Sequence, residues 1–172
     1  GTDRTVTFAD LAKRPGVDPS KLAASEKFSS ADGTYPNGTH IAEVEIDPAT
    51  GVVRIVNYVI VDDFGATLNP LLLEGQVHGG TAQGIGQALM EQAVYDPEDG
   101  QLVTGTFMDY ALPRAADAPS FTFETHNIPC VTNPLGVKGA GEAGSIGSCA
   151  AVMNAIIDGL SREYGIQHID MP

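Results

Sequence analysis

The hydrophobic pattern is weakest at the start of the chain. Residues 5–14 place Phe8 and Leu11 three apart, with Pro15 and Gly16 following as a stop, and predict one short helix. Residues 29–38 are rich in Ser, Asp, Gly, Pro and Asn and predict a loop. From Ile41 the pattern alternates. Val44 and Ile46 fall on one face and Glu43 and Glu45 on the other, residues 47–51 supply turn chemistry, and Val52–Asp62 is a long β-branched run. These features predict a hairpin. Its second strand is apolar at both parities, which predicts cover on both faces.

The period then changes to 3.6. Asn69 and Pro70 read as an N-cap followed by proline at the first helical position, opening a helix that runs to about Glu91. Leu73, Val77, Ile85 and Leu89 share its apolar face, and Gln76, Gly80, Gln83 and Gln87 form a second line at the same period. Downstream, residues 93–95 and 101–104 predict a second hairpin across 96–100, and Phe121–Ile128 predicts a strand. A Pro- and Gly-rich loop over 129–144 precedes a final helix at about Ser145–Tyr164. Its stripe is Ile146, Ala150, Met153, Ile157, Leu160 and Tyr164. Strands and helices mix, so an α+β fold is expected, with helices packed on a mixed or mostly antiparallel sheet. Residues 1–34 are expected to be an arm or linker and 35–172 a single domain.

Composition narrows the function. The 172 residues suffice for one domain with a real core. Nine basic residues stand against 22 acidic ones, a net charge of −13 that argues against nucleic acid or an anionic membrane as partner. No run of 18 apolar residues occurs, so no membrane-spanning helix is expected, and residues 1–10 lack the basic-then-apolar order of a signal peptide. Cys130 and Cys149 form neither a CxxC pair nor a disulfide framework, which suits the reducing cytoplasm. Two cysteines also fall short of the four thiolates that an iron–sulfur cluster usually takes. His40, His78, His126 and His168 show no zinc spacing and are expected on the surface or in loops.

Glycine supplies the candidate chemistry. Gly75, Gly79, Gly80, Gly84 and Gly86 all fall inside one predicted helix, where each costs about 1 kcal/mol relative to alanine. Close approach explains such a cost, and it has two forms. The glycines either let another element pack tightly, or Gly80 leaves room between Gln76 and Gln83 for a flat heterocycle that the amides would bind.

The stretch from Gly136 to Gly144 is the more unusual one, with Glu142 flanked by glycines at the mouth of a helix. Glu142 suits a general base, its pKa raised by burial or lowered by nearby Lys138. It equally suits a charge at a helix N-terminus, worth about 0.3–1 kcal/mol. Gly139, Gly141 and Gly144 also match the GxGxxG dinucleotide fingerprint. Context opposes that reading. Pro129 and Pro134 separate the preceding strand from the turn, Asp158 and Glu163 lie inside the predicted helix, and Glu142 would repel a pyrophosphate.

Four stretches in this order carry a resemblance: AEVEIDPATGVVRIVNYVIVDD, LNPLLLEGQVHGGTAQGIGQALMEQ, YDPEDGQL, and GVKGAGEAGSIG with its following helix. Together, over about Tyr35–Leu160, they resemble the molybdenum-binding large subunits of the xanthine dehydrogenase, aldehyde oxidase and aerobic carbon monoxide dehydrogenase family, bacterial members above all. The resemblance implies that Glu142 is the general base, taking a proton from the metal's hydroxyl as an electron-poor carbon is attacked. It implies that Gln76 hydrogen-bonds the pterin and that Gly141 sits beside the base, close to the metal. For Gln83 and Lys138 it implies no firm role.

The implied cofactor is molybdopterin, in bacteria usually as the cytosine dinucleotide. The implied electron route is a 2Fe-2S centre and FAD on partner subunits or domains. The implied substrate is an aldehyde or an N-heterocycle. The family's molybdenum-binding region is several times longer than this chain, and its other cofactor loops are missing here. The chain is therefore expected to be a subunit, a processed product or a fragment that is incomplete alone. The alternative is a non-catalytic assembly module with the same fold.

Overall fold

The computed structural model describes residues 3–29 and 32–172. The chain divides into two compact units, Gly1–Ala31 and Asp32–Pro172.

In the first unit, α1 (Phe8–Ala12) opens on a capping box. The Asp10 N–H donates to the Thr7 hydroxyl at 3.1 Å, and the Thr7 N–H donates to the Asp10 carboxylate at 3.3 Å. A 3₁₀ turn, Pro19–Leu22, is capped by Asp18, whose carboxylate accepts the Ser20 N–H at 3.0 Å. Neither element buries a residue, so local hydrogen bonds rather than a core define this unit.

The second unit is built on a three-stranded sheet in the order β1 (Asn37–Ile46), β2 (Val53–Asp63), β3 (Thr122–Thr125). The central strand β2 runs antiparallel to β1 and parallel to β3. The register slips where Glu43 faces Asn57 and Val44 faces Ile55, making Val56 the extra residue of a β-bulge. The bulge turns Ile55 and Tyr58 onto the same face, where both are buried, and leaves Val56 44% exposed.

Helices α2 (Pro70–Leu89) and α3 (Ala143–Tyr164) pack together on that buried face. The core joins Ile55, Tyr58, Ile60 and Phe64 of the sheet side to Val77, Ile85 and Ala88 of α2 and Val152 and Ile156 of α3. The expected α+β architecture with a mixed sheet is present. The two-sided burial expected of β2 is not, because both helices lie on one face and Val59 and Val61 on the other are only half-buried.

Helix α2 starts as its sequence predicts: Asn69 accepts the Leu72 N–H at 3.2 Å, and Pro70 opens the first turn. The expected stripe of α3 holds in part, with Met153 and Leu160 packed against the core, and is displaced at its ends. Ile146 is 73% and Tyr164 62% exposed, while Gly144, Ser148, Val152 and Ile156 are buried. The close neighbour α2 selects the line of smaller residues. By length and apolar composition α3 reaches the range of a membrane-crossing helix, with mean hydropathy 1.3 over its 18-residue window. It spends Val152 and Ile156 on the core instead.

Two other expectations shrink. The second hairpin reduces to one bridge, Tyr95 with Leu102, closed by Gly100 at φ +74°. Strand β3 holds four residues rather than eight, because side chains replace the ladder beyond it. Asn127 Oδ1 accepts the Phe64 N–H and Asp63 Oδ1 the Ile128 N–H, each at 3.0 Å.

Candidate functional site

The glycine loop is strapped to the end of β2. Asp63 accepts from the Lys138 ammonium at 2.6 Å and from the Gly65 and Ile128 N–H groups at 2.8 and 3.0 Å. Burial pushes the Asp63 carboxyl up, but Lys138 and the two N–H donors outweigh it and hold the group at about 2. The Lys138 N–H donates to the Phe64 carbonyl at 2.9 Å and the Ala66 N–H to the Gly136 carbonyl at 2.8 Å. Gly65, at φ +64°, is required here: a side chain would strike the Gly136 carbonyl. The expectation that Lys138 tunes Glu142 is thereby corrected, since its ammonium is committed to Asp63.

Along the glutamine line of α2, Gly80 and Gln87 meet α3, whereas Gln83 is exposed. A Cβ on Gly80 would meet the Ser145 nitrogen at 3.0 Å, and one on Gly84 would overlap the Ser148 side chain. Opposite them, a Cβ on Gly144 would run into the Val77 carbonyl and meet the Thr81 nitrogen at 2.7 Å. Gly80 and Gly84 therefore serve helix packing, and Gly80 does not leave room for a heterocycle. Further along, Cys149 Sγ donates to Gln87 Oε1 at 3.5 Å, and burial raises the thiol's pKa.

At the open end of this seam the three predicted site residues come together. Gln76 is exposed, and its Nε2 donates to the Gly141 carbonyl at 2.7 Å, leaving the amide oxygen free to accept. Gly141 is exposed, with open space where a side chain would be. Glu142 occupies the N-cap position of α3, yet its side chain makes no capping hydrogen bond. The helix-end alternative thus has the right position but lacks the bond that would define a cap.

Glu142 and Gly141 line a cleft of about 400 Å³ with Asn37, His40, Asp62 and Ile146. His40 and Asp62 are 5% exposed at their side chains, so His40 is not the surface residue expected. Its Nδ1 lies 2.9 Å from the fully buried Tyr58 hydroxyl. Burial, helped by Cys149 and Asp62, pushes the Tyr58 phenol well above its ordinary range. The missed signal was parity: His40 shares the inward face of β1 with Ala42, Val44 and Ile46.

Among the described residues no three His, Cys, Asp or Glu side chains gather as metal ligands. The donor set is an amide, a carboxylate and exposed main chain. This set suits a metal carried on its own organic ligand better than a bare ion. The dinucleotide alternative gains nothing from the geometry, because β3 ends at Thr125 and the strap separates it from α3.

Residues 1–119 match the family model of the molybdopterin cofactor-binding domain. That match includes the leader, in which no family motif was visible. The large subunit of nicotine 6-hydroxylase from Paenarthrobacter nicotinovorans is 39% identical over 91% of this chain and 20% of its own length. The carbon monoxide dehydrogenase large chain of Hydrogenophaga pseudoflava is 34% identical over 96% of this chain and 21% of its own. Both alignments are long enough to include the glycine loop or most of it. Quinoline 2-oxidoreductase from Pseudomonas putida 86 superposes with a TM-score of 0.79 at 41% identity, covering 90% of this chain and 20% of that one. The chain spans about a fifth of the length of the relatives it matches. It belongs to the molybdopterin cofactor-binding domain family.

Proposed function

We propose that this chain forms part of the catalytic centre of a molybdenum hydroxylase, with Glu142 as general base and Gln76 and Gly141 as part of the pterin cradle. One observation carries the assignment: a glutamate at a helix mouth, unused as a cap, borders a cleft beside a glycine whose carbonyl is tied to Gln76.

When bound, the cofactor supplies two-electron redox chemistry and an oxygen derived from water. The chain's own residues do the rest. Ionised Glu142 accepts a proton at a carboxylate oxygen as the substrate carbon is attacked. The Gln76–Gly141 hydrogen bond fixes the loop that carries Glu142, and the free Gln76 amide oxygen accepts from a pterin N–H. Gly141 lets the cofactor approach the main chain.

The cofactor is taken to be the cytosine dinucleotide form, and electrons leave through a 2Fe-2S centre and FAD carried elsewhere in the enzyme. Relatives named for nicotine and quinoline favour an N-heterocycle over an aldehyde as substrate. Residues 35–172 act as the cofactor domain and 1–34 as an arm. Both cysteines are free, in keeping with the cytoplasm.

Metal and pterin analysis of the assembled enzyme tests this function. Stoichiometric molybdenum and a fluorescent pterin after oxidation are expected. An intact assembly without either would identify a scaffold instead.

A further inference from the structure

The chain carries nine basic and 22 acidic residues, yet residues 64–73 and 128–137 hold none of them. The fold lays these two neutral stretches side by side. Asn127 Nδ2 donates to the Thr67 hydroxyl at 2.9 Å, and the Ala66 and Cys130 N–H groups both donate to the Gly136 carbonyl, at 2.8 and 2.9 Å. Leu68, Leu71 and Leu72 of the first stretch and Ile128, Val131 and Leu135 of the second are 58–97% exposed. A single exposed leucine is ordinary, but bulky apolar side chains gathered on adjoining uncharged segments mark a contact surface. Local structure does not call for them. Asn69 and Pro70 already supply the cap and first turn of α2, and of the three successive leucines only Leu73 packs against the core.

This face adjoins the candidate site. Leu72 lies one turn before Gln76 on α2. The loop that carries Leu135 continues through Lys138, strapped to Asp63, to Gly141, which Gln76 holds. We propose that the face is the seat of the remainder of the large subunit, the part that completes the cofactor site. The matched relatives carry this stretch as about a fifth of their own length, so most of such a subunit lies outside the chain. An apolar contact without charges has the character of a permanent interface, whereas partners that dissociate meet on more polar surfaces. The assignment rests on the proposed function, which makes this chain one part of a larger catalytic centre.

Hydroxyl-radical footprinting of the unsubstituted protein, read by mass spectrometry, compares the 172-residue chain alone with the assembled enzyme. Oxidation of Leu68, Leu71, Leu72, Ile128, Val131 and Leu135 should fall by roughly fivefold or more on assembly, as they pass into an interface core. Val52, 62% exposed at the opposite end of β2, is the reference and should be protected less. Unchanged oxidation of the face, or protection no greater than at Val52, overturns the proposal. Light scattering of the chain alone should show a monomer. A dimer that Leu71→Asp dissociates would assign the face to a second copy and overturn the proposal as well.

Leu71→Asp should leave the isolated chain folded, because an acidic residue in the first turn of a helix is favourable. It should cut recovery of the assembled enzyme by roughly tenfold or more, and normal recovery would count against the seat. Footprinting needs no turnover. A protected face in an enzyme without molybdenum would support the seat and remove only the catalytic reading. An unprotected face in a molybdenum-loaded enzyme would remove only the seat.

Discussion

At the scale of single residues, Asp63 has the clearest energetic consequence. Its folded pKa of about 2 lies below the ordinary 3.8. A depressed carboxyl stabilises the fold above its unfolded pKa, and that contribution is lost as pH falls through the folded value. Stability should therefore drop between about pH 4 and pH 2. Urea unfolding across that window checks it, and Asp63→Asn should flatten that part of the curve. Lys138→Met leaves a buried carboxylate without its cation and should cost on the order of 3 kcal/mol at neutral pH. Spacing along the chain suggested that Lys138 serves Glu142, four residues away. Its true partner lies 75 residues away, and only the fold reveals that pairing. His40, expected on the surface, differs, because its parity with Ala42, Val44 and Ile46 on β1 was enough to place it inward and went unused.

At the scale of elements, the hydrophobic pattern located both long helices and the first hairpin, because propensity, capping residues and periodicity agree there. It placed the buried line of α3 only in part, catching Met153 and Leu160 but not the fully buried residues. Bulky residues suggested one stripe, while the contact with α2 buries Gly144 and Ser148. Which glycines carry that contact is a testable distinction. Gly144→Ala should destabilise by about 1–3 kcal/mol, since the new methyl meets the main chain of α2. Gly75→Ala, in open space on the same helix pair, should stabilise by up to about 1 kcal/mol. Thermal or urea unfolding of the two variants separates them, and equal effects would refute the packing role.

At the scale of the molecule, the sequence brought Gln76, Gly141 and Glu142 into view and the fold brings them to one end of the α2–α3 seam. What holds them there was not legible: the Asp63–Lys138 strap and the Gln76–Gly141 hydrogen bond both join distant parts of the chain. The chain matches only about a fifth of its relatives' length, so the account of catalysis is a claim about the assembled enzyme. Its most direct test is turnover and molybdenum content of that enzyme with Glu142→Gln. The account predicts a loss of about 10²–10⁴-fold in kcat with molybdenum retained; near-normal turnover at full molybdenum content would contradict it.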